Sequence, residues 1–302
     1  MPPDDFNPPV GVAQPLAPAL RRILAPNPSP MTYRGTNTYL LGTRDIAVID
    51  PGPESEAHLT AILNACDAAQ RITHILVTHS HVDHSPLASA LSRRTGAPVF
   101  AFGPSDAGRS AAMQACLITG MKGGGEGIDL AFAPDVHLSD GSALQAGDQN
   151  VIAWHTPGHM GNHMCFQWGD AVFCGDLVMG WASSLVSPPD GDLTDFMRSC
   201  SKLRALNAAV LHSGHGAPIS DPAARIDWLI AHRQSREAQI LEALSTGPAA
   251  AHSLAAAIYT ETPVALLGAA TRNVFAHLID LEGKNQVARC DAPTESALFH
   301  RL

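Results

Sequence analysis

The stretch that most narrows the choice of fold is THSHVDHS, residues 78–85, which follows the apolar run HILV almost directly. Three histidines and an aspartate fall within positions 79–84. THILVT reads as a short buried strand, and PLASALSRRTG reads as a helix, with Ser85 as its N-cap and Pro86 at its first position. The cluster therefore occupies a loop between a strand's C-terminal end and a helix N-terminus, where layered α/β proteins place ligand sites. Histidines at i and i+2 of an extended segment point to the same side. His79 and His81 can thus grip one ion, while Asp83 and His84 can face a second.

Later segments supply the other half of a site. His159 lies in TPGHMGNH, Asp176 in FCGD and His215 in SGHG, each after an apolar strand and beside a glycine that permits a tight turn. Three neutral imidazoles (His79, His81, His159) suit one ion; Asp83, His84 and His215 suit the other, with Asp176 bridging. Imidazole and carboxylate without thiolate favour zinc and also admit manganese or iron. Structural zinc sites are closed four-ligand cages, whereas open positions shared between two ions mark a catalytic site.

The rest of the chain fits a layered α/β domain followed by a smaller helical one. TNTYLLG and DIAVIDPG read as a hairpin-like strand pair and HLTAILNACDAA as a helix. APVFAF, NVIAWH, MCFQW, DAVFCGD and AAVLHSG read as further strands. The proline-rich first ~30 residues read as an extended surface arm. MKGGGEG reads as a loop and lacks the flanking strand and helix of a phosphate loop. Composition shifts after PISDPAAR, which divides the chain into a catalytic domain, 1–224, and a C-terminal domain, 225–302. The second part reads as three helices and a short strand: SREAQILEALS, SLAAAIY capped by Ser253, ALLGAATRNVFAHLIDLEG closed by Gly283, and NQVARC. That pattern suggests a winged-helix-like module.

Charge narrows the partners. The net charge is −9, and residues 225–302 carry seven basic against eight acidic side chains, with Arg272 the one Arg or Lys on the candidate recognition helix 264–282. Duplex DNA needs clustered Lys and Arg, so the tail is expected to be a lid and wall of the active site and not a nucleic-acid reader. Its apolar face, Leu266 and Leu267 through Ala270, Val274 and Leu278, needs a partner surface: the catalytic domain, or a second copy of the chain in a homodimer. Six scattered cysteines without a CxxC pair, no leader-like start and no apolar run near ~20 residues point to reduced thiols, a cytoplasmic setting and no membrane span.

HSHVDH with the later GH, GD and GH resembles the HxHxDH signature of the metallo-β-lactamase superfamily, over residues ~30–220. The resemblance implies an αββα sandwich with two metal ions at one edge of its sheets. GTNTYLLG, IDPG, HTPGHMGNHMCF, MGWASSLVSPPDGDL and the helical tail are similar to the β-lactamase-like protein 2 subgroup. This implies a winged-helix domain near the active-site mouth and hydrolysis of phosphodiester bonds in single-stranded RNA. Ser80 stands where many members carry an aromatic residue, a difference that bears on the pocket floor.

The expected chemistry is hydrolysis by a metal-bridging hydroxide, with Asp83 relaying a proton to the leaving group. A phosphodiester (RNA-like) substrate is the first reading, and a small-molecule thioester or lactone of the glyoxalase II-like type is the alternative. A serine hydrolase would need a Gly-x-Ser-x-Gly elbow, which is missing. A diiron redox relative would carry Glu or Asp at the second or third motif position and a flavin domain. Asp50 in VIDPGP is expected to orient a ligand loop, while Asn37 and His163 read as surface polar residues or, alternatively, as substrate contacts.

Overall fold

The computed structural model describes residues 5–121 and 127–302, so most of the glycine-rich MKGGGEG stretch lies outside the described residues. Two sheets lie face to face between helices. The first is built from β1 (Gln14–Ala17), β2 (Leu20–Leu24), β3 (Asn37–Leu41), β4 (Asp45–Ile49), β5 (Arg71–Leu76), β6 (Val99–Ala101) and β7 (Val136–His137), hydrogen-bonded in that order. α1 (Glu56–Asn64), α2 (Leu87–Thr95) and α3 (Ala111–Ile118) are interleaved among these strands. The second sheet runs β12-β11-β10-β9-β8, from β8 (Ser142–Ala146), β9 (Gln149–His155), β10 (Met164–Trp168), β11 (Ala171–Gly175) and β12 (Val210–Ser213). α4 (Leu193–Ala205) connects β11 to β12.

Period-two alternation divides the strand side chains among three cores, one between the sheets and one on the outer face of each. Tyr39, Leu41, Ala47 and Ile49 meet Met164, Phe166 and Phe173 between the sheets. Leu40, Ile46 and Val48 face the other way, onto Leu59 and Ile62 of α1 and Leu87 and Leu91 of α2. Cys165, Val172 and Cys174 pack against Phe196 and Cys200 of α4. This is the αββα sandwich the sequence suggests.

α5 (Pro222–Ala243), α6 (Ala251–Ile258) and α7 (Leu267–Gly283) follow, with a small ribbon of β13 (Val287–Arg289) and β14 (Phe299–Arg301). α5 belongs to two cores: Ile226 and Leu229 pack with α4, and Ile240 packs with α6 and α7. The division at 224/225 therefore falls in the first turn of a continuous helix. Met113 and Cys116 of α3 also enter the C-terminal core, beside Leu254, Val274 and Phe275. Val264–Gly283 is, among the described residues, the one stretch long and apolar enough to cross a membrane, with a mean hydropathy of 1.2. Half of it is buried, and Ala270, Val274, Phe275, Leu278, Ile279 and Leu281 pack in the C-terminal core, while Val264 is exposed.

Three local expectations change. The N-terminal arm is partly a hairpin, because Leu20, Ile23 and Leu24 are apolar enough to join the sheet as β2. Ser85 does not cap α2: its hydroxyl donates to Asp129 at 2.8 Å, and the helix starts after Pro86 without a side-chain cap. Ser253 lies inside α6, which begins at Ala251 and also lacks a side-chain cap.

Candidate metal centre

The loops carrying all seven proposed ligands converge at one edge of the two sheets. His79, His81, Asp83 and His84 follow β5, His159 lies between β9 and β10, Asp176 follows β11, and His215 follows β12. The edges of the sheets are tied together there. Asn37 donates through its side chain to the Ser213 and Gly216 carbonyls at 3.1 and 2.9 Å, and the Tyr39 hydroxyl donates to Ser213 O at 2.7 Å.

Two groups of donor atoms form. Nε2 of His79 and Nε2 of His159 lie 2.9 and 3.0 Å from Nδ1 of His81. Three imidazoles crowded on one point cannot all satisfy one another as hydrogen-bond partners. Such spacing is that of ligands drawn round one ion with bonds of ~2.0–2.1 Å. In the second group, Oδ2 of Asp83 lies 3.4 Å from Nε2 of His84 and 3.2 Å from Nε2 of His215. Asp176 spans the two: Oδ2 is 3.3 Å from His215 and 3.8 Å from His159, and Oδ1 is 3.6 Å from His84. Nε2 of His84 and Oδ1 of Asp176 are buried without a hydrogen-bond partner. Buried polar atoms are seldom left so, and these two face the space between the groups. On donor type, spacing and orphaned atoms, the residues fit two divalent ions.

Neighbouring groups fix which ring nitrogen faces inward. His159 donates Nδ1–H to Leu185 O at 2.6 Å, and His215 donates Nδ1–H to Gly35 O at 3.1 Å. Asp50, at φ +51°, ties two ligands together. Its Oδ2 accepts from His84 Nδ1 at 2.9 Å and from the Thr78 hydroxyl at 2.8 Å, and that hydroxyl lies 2.9 Å from Nδ1 of His79. The geometry thus gives Asp50 the orienting task expected of it. Tight turns aim the loops. Gly175 has φ +46°, and a Cβ there would come within 2.7 Å of both Thr78 Oγ1 and His163 Nε2. A Cβ on Gly214 would press on Asp176 and stand 2.6 Å from His84 Cε1.

Electrostatics separates the halves. Burial and the neighbouring His159 push His81 down to about 3, and burial with the other imidazoles holds His79 well below its usual value. Burial also opposes protonation of His215, but Asp176 and Asp83 outweigh it and lift the ring to about 10. His84 is likewise raised against its burial by Asp83, Asp176 and Asp50. The three-histidine face is therefore already in its ligand form, whereas the second group must give up protons to a cation.

Asn37 and His163 are not surface residues: both are fully buried, Asn37 bonded to the backbone and His163 to the Thr156 hydroxyl at 3.0 Å, so neither presents a side chain at the surface. Ser80 is also buried, accepting from Asn162 at 2.9 Å. The carbonyls of Leu185 and Gly35 left no trace in the sequence, since every residue has one. Thr78, adjacent to the motif, was open to recognition as the partner of His79.

The profile described as the metallo-beta-lactamase superfamily matches residues 31–215, more than half of the chain. The chain belongs to that superfamily. The beta-lactamase associated winged helix domain matches residues 249–295. Beta-lactamase-like protein 2 homolog of Drosophila melanogaster is 33% identical over 89% of this chain and 90% of its own. Atrochrysone carboxyl ACP thioesterase of Aspergillus fumigatus is 32% identical over 76% of this chain and 66% of its own. A metallo-beta-lactamase family protein of Thermus thermophilus superposes with a TM-score of 0.76 at 27% identity, over 95% of this chain and all of the other. As a superfamily member the chain is a hydrolase. Seven donor side chains exceed what one ion can use, so metal-replete protein is expected to carry two ions per chain by elemental analysis. A firm limit of one, with Asp83 and His84 free, would remove the dinuclear account.

Proposed function

We propose that this hydrolase holds two divalent ions, zinc foremost, and cleaves an acyl bond, a thioester or ester with an apolar acyl group. His79, His81 and His159 would hold one ion, Asp83, His84 and His215 the other, and Asp176 both. Bound there, the ions would supply Lewis acidity and a nucleophile available at neutral pH. Asp83 is the most open carboxylate of the site, its side chain 19% exposed. Its Oδ2 accepts the Thr36 hydroxyl at 3.2 Å, and the carboxylate would pass a proton to the leaving group.

The observation that carries the acyl reading is the lining of the cavity. A space of about 580 Å³ has His81 and His159 on one side and His252, Thr271, Arg272 and Glu295 of the C-terminal domain on the other. It shares Met31, Leu185 and Ala269 with a side chamber of about 200 Å³ lined by Met179, Trp181, Tyr259 and Leu266. Among the described residues, Arg272 is the one Arg or Lys in either lining, and it is paired with Glu295. A nucleic-acid strand needs several phosphate-neutralising groups; a short acyl chain needs an apolar wall. The second reading, an RNA-like phosphodiester, draws support from the stack of Tyr33 on Trp181 at 5.2 Å, a platform on which a base could lie.

The test is a panel on metal-quantified protein: acyl-pantetheine thioesters of graded length, matching esters, a simple phosphodiester and short single-stranded RNA. Medium-chain thioesters are expected to exceed the phosphodiesters in kcat/KM by at least ~10-fold. RNA cleavage without thioester turnover would replace this reading with the second.

A further inference from the structure

Residues 184–188 connect the metal centre to the C-terminal helices. On one side, the Leu185 carbonyl takes the Nδ1 proton of His159 at 2.6 Å. On the other, the segment is held by side chains of α5 and α7. Arg233 Nη2 donates to Ser184 O, and the Val186 amide donates to Asn273 Oδ1 at 3.0 Å. Arg272 donates to the Ser187 hydroxyl at 2.8 Å and to Pro188 O. Asn273 Oδ1 also accepts from Arg233 Nη1 at 3.0 Å, so one oxygen serves both the segment and the arginine.

Arg233 is a costly way to build a core. It is 2% exposed, and no carboxylate pairs with it among the described residues. Its guanidinium lies over the Phe196 ring at 5.2 Å, and burial lowers its pKa. A buried cation without a counter-ion is expensive, and an apolar side chain of similar volume would fill the space at lower cost. What an apolar side chain could not do is grip the Ser184 carbonyl and Asn273 on either side of the Leu185 peptide.

The second ligand group is anchored differently. His84 is fixed by Asp50, His215 by Gly35 O and Asp83 by the Thr36 hydroxyl, all from the sandwich. Of the ligand anchors described, only that of His159 is held from beyond residue 220.

We propose that Arg233 and Asn273 are positioning residues for His159, so that the C-terminal domain sets the metal affinity of the three-histidine site and not that of its neighbour. A hydrogen-bonded partner fixes the tautomer and orientation of a metal-binding imidazole. Here the partner is a peptide carbonyl on an irregular segment, and its own position depends on the two side chains. The inference rests on the ligand assignment above and is independent of the substrate.

The experiment compares Asn273→Leu, which keeps volume but loses the acceptor, with Asn273→Asp, which keeps the acceptor. Zinc titration is followed by calorimetry and by histidine-ring nitrogen NMR, which assigns each equivalent to its ligands. Asn273→Leu is expected to weaken the His79–His81–His159 site by ~10–100-fold, leave the other site within ~2-fold, and shift the His159 ring signals. Asn273→Asp is expected to restore the affinity, an effect that a merely structural role would not produce so selectively. Should Asn273→Leu fail to fold, Arg272→Ala at the cavity margin carries the same readout with a smaller shift. Unchanged affinities at both sites, or equal losses at both, would overturn the proposal. If the unmodified protein takes up no zinc through these three histidines, the ligand assignment is what fails, and the inference falls with it.

Discussion

Asp176→Ala is expected to cut turnover by more than ~100-fold in a protein that still folds. Among the described residues, Asp176 is the one carboxylate within 4 Å of both donor groups, reaching His159 and His215 through Oδ2 and His84 through Oδ1. No other described side chain is placed to hold both ions at a fixed separation, and misplacing a catalytic group by about 1 Å costs on the order of 100-fold. The fold should survive because Asp176 lies in a loop after β11, outside the packed clusters of the sandwich. Its removal does leave His215 with Asp83 alone and His84 with Asp83 and Asp50, so the variant must be studied with metal present. The measurements are kcat/KM on the best panel substrate, metal content and thermal melting. Near-normal turnover in a well-folded, metal-loaded variant would end the assignment of Asp176 as the bridge.

The sequence showed the centre well because its elements are local. Four of the seven donors lie within residues 79–84, and each of the other three follows an apolar strand beside a glycine. Strand alternation was also plain, since Leu40 and Leu41, or Val48 and Ile49, enter different cores by periodicity alone. Helix starts were misread where a serine stood in the place of a cap. Ser85 turned to Asp129, a partner 44 residues away that no local pattern reveals. Asn37 and His163 read as surface residues or substrate contacts because they are polar and near the motifs. Their bonds to Ser213, Gly216 and Thr156 are tertiary, and these hold the Asn37 amide nitrogen and His163 Nδ1 inside the protein. The link from the C-terminal helices to His159 was the least visible of all. It runs through backbone atoms of residues 184–188, and in the sequence Arg233 counts only as one of the seven basic side chains of residues 225–302.

Asp50 gives the sharpest test of how the site is supported. Its buried carboxylate accepts three bonds: from the Thr78 amide at 2.7 Å, the Thr78 hydroxyl at 2.8 Å and His84 Nδ1 at 2.9 Å. Through Thr78 it reaches His79, and through the last bond His84, so it supports one ligand from each donor group. Asp50→Ala is therefore expected to weaken metal binding at both sites by ~10–100-fold, unlike the one-sided loss expected for Asn273→Leu. It also strands buried donors, each at a cost of about 1–3 kcal/mol, so the melting temperature should fall as well. Asp50→Asn separates the two effects. The asparagine carbonyl can still accept the Thr78 amide, but its NH2 then faces the Thr78 hydroxyl and Nδ1 of His84. A donor facing Nδ1–H is untenable, so the His84 proton should move to Nε2. That nitrogen, 3.4 Å from Asp83 and 3.6 Å from Asp176, would then be a donor where a lone pair is needed. Asp50→Asn should thus fold nearly as well as the parent and lose the ion at the Asp83–His84–His215 group, with the His84 ring changing tautomer by nitrogen NMR. Full metal content with the proton still on Nδ1 of His84 would show that the ring is held by packing and not by Asp50.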